Sequence, residues 1–218
     1  MKTTNLIHIA KLVILISALS FYQRASAQLT YSGPYTFSAG TAISPIYPTG
    51  TGATPQVSLF ASGFYHPAGM AIDASNNIYL ADQFNNQVKR IDPSGTVVAT
   101  WGSGSAGSTS GYYTSASFYY PGAVAIDNTG TSLYVADYGN NMIRIINLSN
   151  GYVSNFAGSG TAGEIDATWG SAQFNGPLGI IVGDGGNIYV ADYTGQTIRK
   201  INPSTGLVST IAGSSTVG

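Results

Sequence analysis

Three aspartates, Asp82, Asp137 and Asp192, fall 55 residues apart, and a basic residue follows each by seven: Lys89, Arg144 and Arg199. A recurring carboxylate and cation can do two kinds of work. Converging on one centre, the acids would form a ring for a cation or a substrate. Kept apart, each would tie down one turn and pair with the basic residue across a hairpin. Identical repetition favours the second, because a catalytic site is asymmetric, with particular acids, bases and nucleophiles held in one place. Asp73 and Asp127 also recur, but Gly183 takes their place in the third unit, which argues against a symmetric metal ring. His66 is the one histidine beyond residue 27. A zinc site without cysteine needs several imidazoles, so His66 reads as a turn residue. No metal site, cofactor or catalytic residue is expected.

A second set combines aromatic rings with amides. After the three aspartates come Phe84-Asn-Asn86, Tyr138-Gly-Asn-Asn141 and Tyr193-Thr-Gly-Gln196. Longer loops carry Tyr112, Tyr113 and Trp169, with Tyr113 and Trp169 each eight residues before the next proline. Rings supply rigid apolar area while amides donate and accept hydrogen bonds, a combination suited to sugar or peptide recognition. The candidate binding residues are therefore Tyr112, Tyr113, Trp169, Phe84, Tyr138, Tyr193, Asn86 and Asn141. The competing reading is that Asn and Gly satisfy left-handed turn geometry and the rings pack between neighbouring units.

The elements that position these residues come from a unit repeated three times. Pro67-Ala-Gly-Met-Ala-Ile-Asp73, Pro121-Gly-Ala-Val-Ala-Ile-Asp127 and Pro177-Leu-Gly-Ile-Ile-Val-Gly183 align, as do Ile78-Tyr-Leu-Ala-Asp82, Leu133-Tyr-Val-Ala-Asp137 and Ile188-Tyr-Val-Ala-Asp192. Then come Val88-Lys-Arg-Ile91, Ile143-Arg-Ile-Ile146 and Ile198-Arg-Lys-Ile201, and finally Thr96–Trp101, Tyr152–Phe156 and Leu207–Ile211. Short Val-, Ile- and Tyr-rich runs between Asp, Asn, Gly and Pro turns predict four-stranded antiparallel meanders. In the first unit, strands A to D are expected near 68–73, 77–82, 87–91 and 96–101. A four-stranded sheet repeated every 40–55 residues is a β-propeller blade, so the chain reads as all-β with three blades near 67–101, 121–156 and 177–211. In such a meander the B–C turns and the long D–A loops share one face.

The succession Pro-x-Gly-x-Ala-x-Asp, Ile/Leu-Tyr-Val-Ala-Asp, Asn-x-x-Ile-Arg and Val-Ser-x-x-Ala-Gly-Ser-Gly resembles the NHL repeat. It is similar above all to the long-looped version of secreted bacterial proteins, with their Ala-x-Phe-x-x-Pro connection. The resemblance covers about residues 57–213 and implies a propeller that usually closes with six blades. Val57-Ser-Leu-Phe60 reads as a lone D strand of a further blade. Three blades leave two end faces bare. Either the chain is part of a longer propeller, the reading preferred here, or two copies close a six-bladed ring as a homodimer.

Enzymes with NHL-like propellers include zinc-dependent lyases and calcium-dependent lactonases, and other NHL propellers bind RNA. The first two need ligand clusters that this sequence does not display, and the third needs a basic face. The chain holds only 8 Lys and Arg against 9 Asp and Glu, and 8% charged residues in all. With 44% hydrophobic residues it has material for a core, and with no cysteine it can hold no disulfide, Cys-ligated zinc or thiol nucleophile.

Residues 1–27 read as a signal peptide. Lys2 and Lys11 lead, an apolar run follows from Leu12 to Phe21, and Ala25-Ser-Ala27 offers a cleavage site. The run is too short to span a bilayer. Removal leaves five basic and nine acidic residues, a formal charge of −4. Residues 28–56, including Thr30–Phe37 and Gly40–Pro48, resemble the opening of a bacterial immunoglobulin-like repeat and read as a linker or partial domain. The expected role is exported, non-catalytic recognition of a protein or carbohydrate in the periplasm, at the cell surface or in the medium, with no nucleic acid partner. The alternatives are part of a propeller hydrolase or lyase, or an architectural spacer in an adhesin.

Overall fold

The computed structural model describes residues 60–214. The expected signal peptide at 1–27 and the linker or partial domain at 28–56 lie outside these residues. Of the lone strand expected at 57–60, only Phe60 is described. It is not in a strand, and its carbonyl sits against the turn at Gly95.

Three antiparallel sheets follow one another. The first has the order β1 (Pro67–Ile72), β2 (Ile78–Asp82), β3 (Gln87–Ile91) and β4 (Val97–Trp101). In the second, β6 (Pro121–Ile126), β7 (Ser132–Asp137), β8 (Met142–Asn147) and β9 (Tyr152–Ala157) are joined by β5 (Gly111–Tyr112) beside β9. The third repeats this with β11 (Pro177–Val182), β12 (Ile188–Asp192), β13 (Thr197–Ile201) and β14 (Leu207–Gly213), plus β10 (Ala167–Thr168) beside β14. The A to D strands stand within two residues of their expected bounds. β5 and β10 were not expected. Each belongs to a D–A loop that runs along the outer edge of the next blade before entering it.

Alternation along the strands divides the apolar residues between neighbours. Leu133 and Val135 pack toward the first blade with Tyr79, Ala81, Val88 and Trp101. Tyr134 and Ala136, one residue over, pack toward the third blade with Ile180, Val190 and Ile201. Each fully buried Ile, Leu or Val contributes roughly 1.5–3 kcal/mol. The A strands of adjacent blades approach closely because glycine faces the neighbour. A Cβ on Gly69 would sit 2.5 Å from that of Ala123, and one on Gly122 would sit 2.8 Å from Leu178. Among the described residues nothing covers the two end faces: Met70 and Ile72 on the first blade, Ile181 and Ile198 on the third, are exposed.

Candidate functional site

The B–C turns are short because one 3-10 turn suffices. Gln83–Asn85 and Tyr138–Asn140 each form one, and Asn86 (φ 51°) and Asn141 (φ 53°) end them in the left-handed region that asparagine tolerates. Those two asparagines also reach across to the next blade. Asn86 Oδ1 accepts the backbone N–H of Tyr120, and Asn141 Oδ1 accepts that of Gly176, each at 2.9 Å.

Beneath each turn lies a knot around the strand-B aspartate. Asp137 accepts hydrogen bonds from the Tyr119 N–H (2.8 Å), the Asn140 amide (2.8 Å) and Arg144 (3.2 Å). Arg144 in turn donates to the carbonyls of Ser117 and Thr109, the two limbs of the D–A loop, and its guanidinium lies 5.5 Å from the centre of the Phe118 ring. Asp192 and Arg199 repeat this with Asn175, Gln173, Ile165 and Phe174. Asp82 and Lys89 do so with Tyr65, Gly63 and Phe64. Burial pushes the Asp137 carboxyl up to about 6 against the pull of Asn140, Tyr119 and Arg144. It moves Asp192 in the same direction. These pairs fix the chain just before each strand A. Among the described residues, no three His, Asp or Glu side chains gather as metal ligands would.

The aromatic candidates separate into two places. Phe84, Tyr138 and Tyr193 lie on the B–C turns, beside Asn86 and Asn141. Tyr112, in β5, meets Tyr152 on the outer edge of the second blade at 4.8 Å. Tyr113 and Trp169 wedge between blades. The Tyr113 ring covers Gly151 and stacks on Trp101 at 6.0 Å, and Trp169 covers Gly206 and meets Phe156 at 5.3 Å. The structure thus brings Phe84, Tyr138 and Tyr193 to the turn face, and holds Tyr112, Tyr113 and Trp169 at the outer rim.

What sequence reasoning missed are the residues just ahead of each strand-A proline. Tyr65 and His66 meet Phe84 at 5.1 and 4.4 Å. Phe84 meets Tyr120 at 5.5 Å, and Tyr120 meets Tyr119 at 4.6 Å. Five rings therefore form one unbroken, exposed strip across the first two blades. The signal was available in the paired aromatics before Pro67 and Pro121.

No family model matches the chain. It is 36% identical over 94 residues to NHL repeat-containing protein 2 of Gallus gallus, 43% of this chain but only 13% of that relative's length. A solved Bacteroides thetaiotaomicron protein of unknown function is 32% identical over 57% of this chain and 32% of its own, with a TM-score of 0.53. An auxiliary nutrient binding protein of Bacteroides ovatus shares the fold at 20% identity and a TM-score of 0.51, over 69% of this chain and 37% of its own. Three units with one strand order and one buried acid–base knot, together with these relatives, make the described chain a run of NHL repeats folded as part of a β-propeller.

Proposed function

We propose that the protein is an exported bacterial recognition module that binds a protein or glycan, without catalysis, on the face carrying the B–C turns. The observation that carries this reading is the strip Tyr65, His66, Phe84, Tyr120 and Tyr119. Tyr65 is 60% exposed and Phe84 42%. Contiguous exposed apolar surface on a folded protein marks interaction sites, and stacked rings lose little entropy on binding. Export rests on the leader read in residues 1–27. No helix among the described residues is long and apolar enough to cross a membrane.

The test is binding of the purified protein to glycan and peptide arrays, repeated with Tyr65→Ser/Phe84→Ser and with Trp169→Ala. The expected result is a ligand lost in the double variant and retained with unchanged affinity in Trp169→Ala. A ligand whose affinity ignores the double change would remove this face from consideration.

A further inference from the structure

The two junctions between blades differ on the turn face. At the first, Phe84 and Tyr120 fill the space with rings 5.5 Å apart. By spacing from the strand-B aspartates and strand-A prolines, Phe84 corresponds to Gly139 in the second blade and Tyr120 to Gly176 before the third. The backbone bonds agree: Phe84 N–H donates to Tyr65 and Gly139 N–H to Tyr119, while Tyr120 and Gly176 N–H groups donate to equivalent asparagines. Two rings of the first junction are thus two glycines at the second, where the Tyr119 ring lies over Gly139 and Tyr138 and Thr194 lie against Gly176. Among these side chains is a cleft of about 340 Å³.

Its walls are chemically specific. The rings of Tyr119, Tyr120 and Tyr138 line it with Asn141, Asn175 and Thr194. A Cβ on Gly176 would lie 2.6 Å from the Thr194 hydroxyl and 2.9 Å from the Tyr138 ring, so these two side chains take up the position beside Gly176 and form one wall of the cleft. Among the described residues, the three phenol groups, the Asn175 side-chain amide and the Thr194 hydroxyl have no hydrogen-bond partner. Among the described residues, no charged side chain lines the cleft. Its volume is at the small end of the roughly 300–1,000 Å³ of small-molecule sites. Neutral donors and acceptors around tyrosine faces match a compact, uncharged, polyhydroxylated ring, whose C–H face stacks while its hydroxyls reach the amides.

We infer that this cleft between the second and third blades binds a single hexopyranose unit, held against the tyrosine rings and the Asn175 and Thr194 side chains that line it. The inference rests on the recognition reading above and names the ligand class for one part of that face.

Saturation-transfer NMR of the purified protein with the methyl glycosides of glucose, galactose and mannose tests it, with N-acetyltyrosinamide as the peptide-like probe. At least one methyl hexopyranoside is expected to bind through its ring C–H protons. Gly176→Tyr, whose side chain would displace Tyr138 and Thr194 from the wall of the cleft, is expected to abolish the signal. Tyr138→Ala should weaken binding at least tenfold, and Asn175→Ala, which removes an amide with no partner among the described residues, should weaken it severalfold. Circular dichroism establishes that each variant is folded, and the last two carry the test if Gly176→Tyr is not. Absence of binding by all the glycosides overturns the inference. So does binding of N-acetyltyrosinamide with the same dependence on Tyr138 and Asn175, which would make the cleft a peptide site. If the arrays yield a ligand that depends on Tyr65 and Phe84 while the glycosides fail, the wider reading stands and the cleft assignment falls.

Discussion

Replacing Arg144 with Met strands a buried charge. The side chains of Arg144 and Asp137 are both fully inaccessible, and Arg144 bonds one carboxylate and two backbone carbonyls. Removing one partner of a buried pair costs about 3–5 kcal/mol, because the other charge stays behind without its compensation. Against a typical domain stability of ~5–15 kcal/mol this is a large fraction. At ~2–4 °C per kcal/mol it lowers the melting temperature by roughly 6–20 °C. Urea unfolding followed by circular dichroism would measure it. The pH dependence has a definite sign. Burial already raises Asp137 to about 6, and loss of the cation raises it further. Protonation then removes the stranded charge, so the deficit of Arg144→Met is largest at pH 8 and shrinks toward pH 5. Adding Asp137→Asn should recover part of the loss. A deficit below about 1 kcal/mol, or one indifferent to pH and to Asp137→Asn, would refute the account.

Other expectations follow from local geometry. Gly206→Ala places a methyl against the Trp169 ring at φ +72° and should cost about 1–3 kcal/mol in a denaturation curve. Phe174→Ala empties a fully buried site over Arg199 and should cost about 3–5 kcal/mol by the same measurement. Burial opposes ionisation of Asp73, Asp127 and Asp166, yet hydrogen bonds from Asn77 and Ser75, from Thr129, Ser132 and Thr131, and from Thr210 and Arg199 hold all three below 3.8. Their stabilisation is complete above that pH and disappears as pH falls through the depressed values, which thermal melts from pH 5 to 2 would follow. Ile181→Glu, on an open end face, should lower self-association in light scattering without lowering the melting temperature.

The strands were legible in the sequence because each carries its own signal. Leu133-Tyr-Val-Ala-Asp137 alternates between two buried surfaces, and its flanking turns announce their ends. β5 and β10 were not legible, since Gly111-Tyr112 and Ala167-Thr168 have no pattern and become strands only by lying beside β9 and β14. The path of the D–A loop depends on Arg144 reaching Ser117 and Thr109, 27 and 35 residues away. Local reading therefore could not tell that Tyr113 leaves the turn face while Tyr119 and Tyr120 return to it. Nor does a glycine such as Gly176 announce that the Thr194 hydroxyl and the Tyr138 ring will lie against it, since Tyr138 stands 38 residues away in the preceding blade.

The order of β5 and β10 along the chain bears on how the molecule is made. Each is synthesised before the blade whose rim it closes, β5 ahead of β6–β9 and β10 ahead of β11–β14. A chain emerging N-terminus first, from a ribosome or through a translocation channel, already holds the strap for β9 when β9 arrives. The first two residues of β9, Tyr152 and Val153, are paired as soon as the strand arrives, which shortens the open edge it would offer to other chains. Aggregation of half-made chains is restrained by sequence order alone, and a circular permutation that placed β10 after β14 would forfeit that protection while keeping every contact of the finished fold.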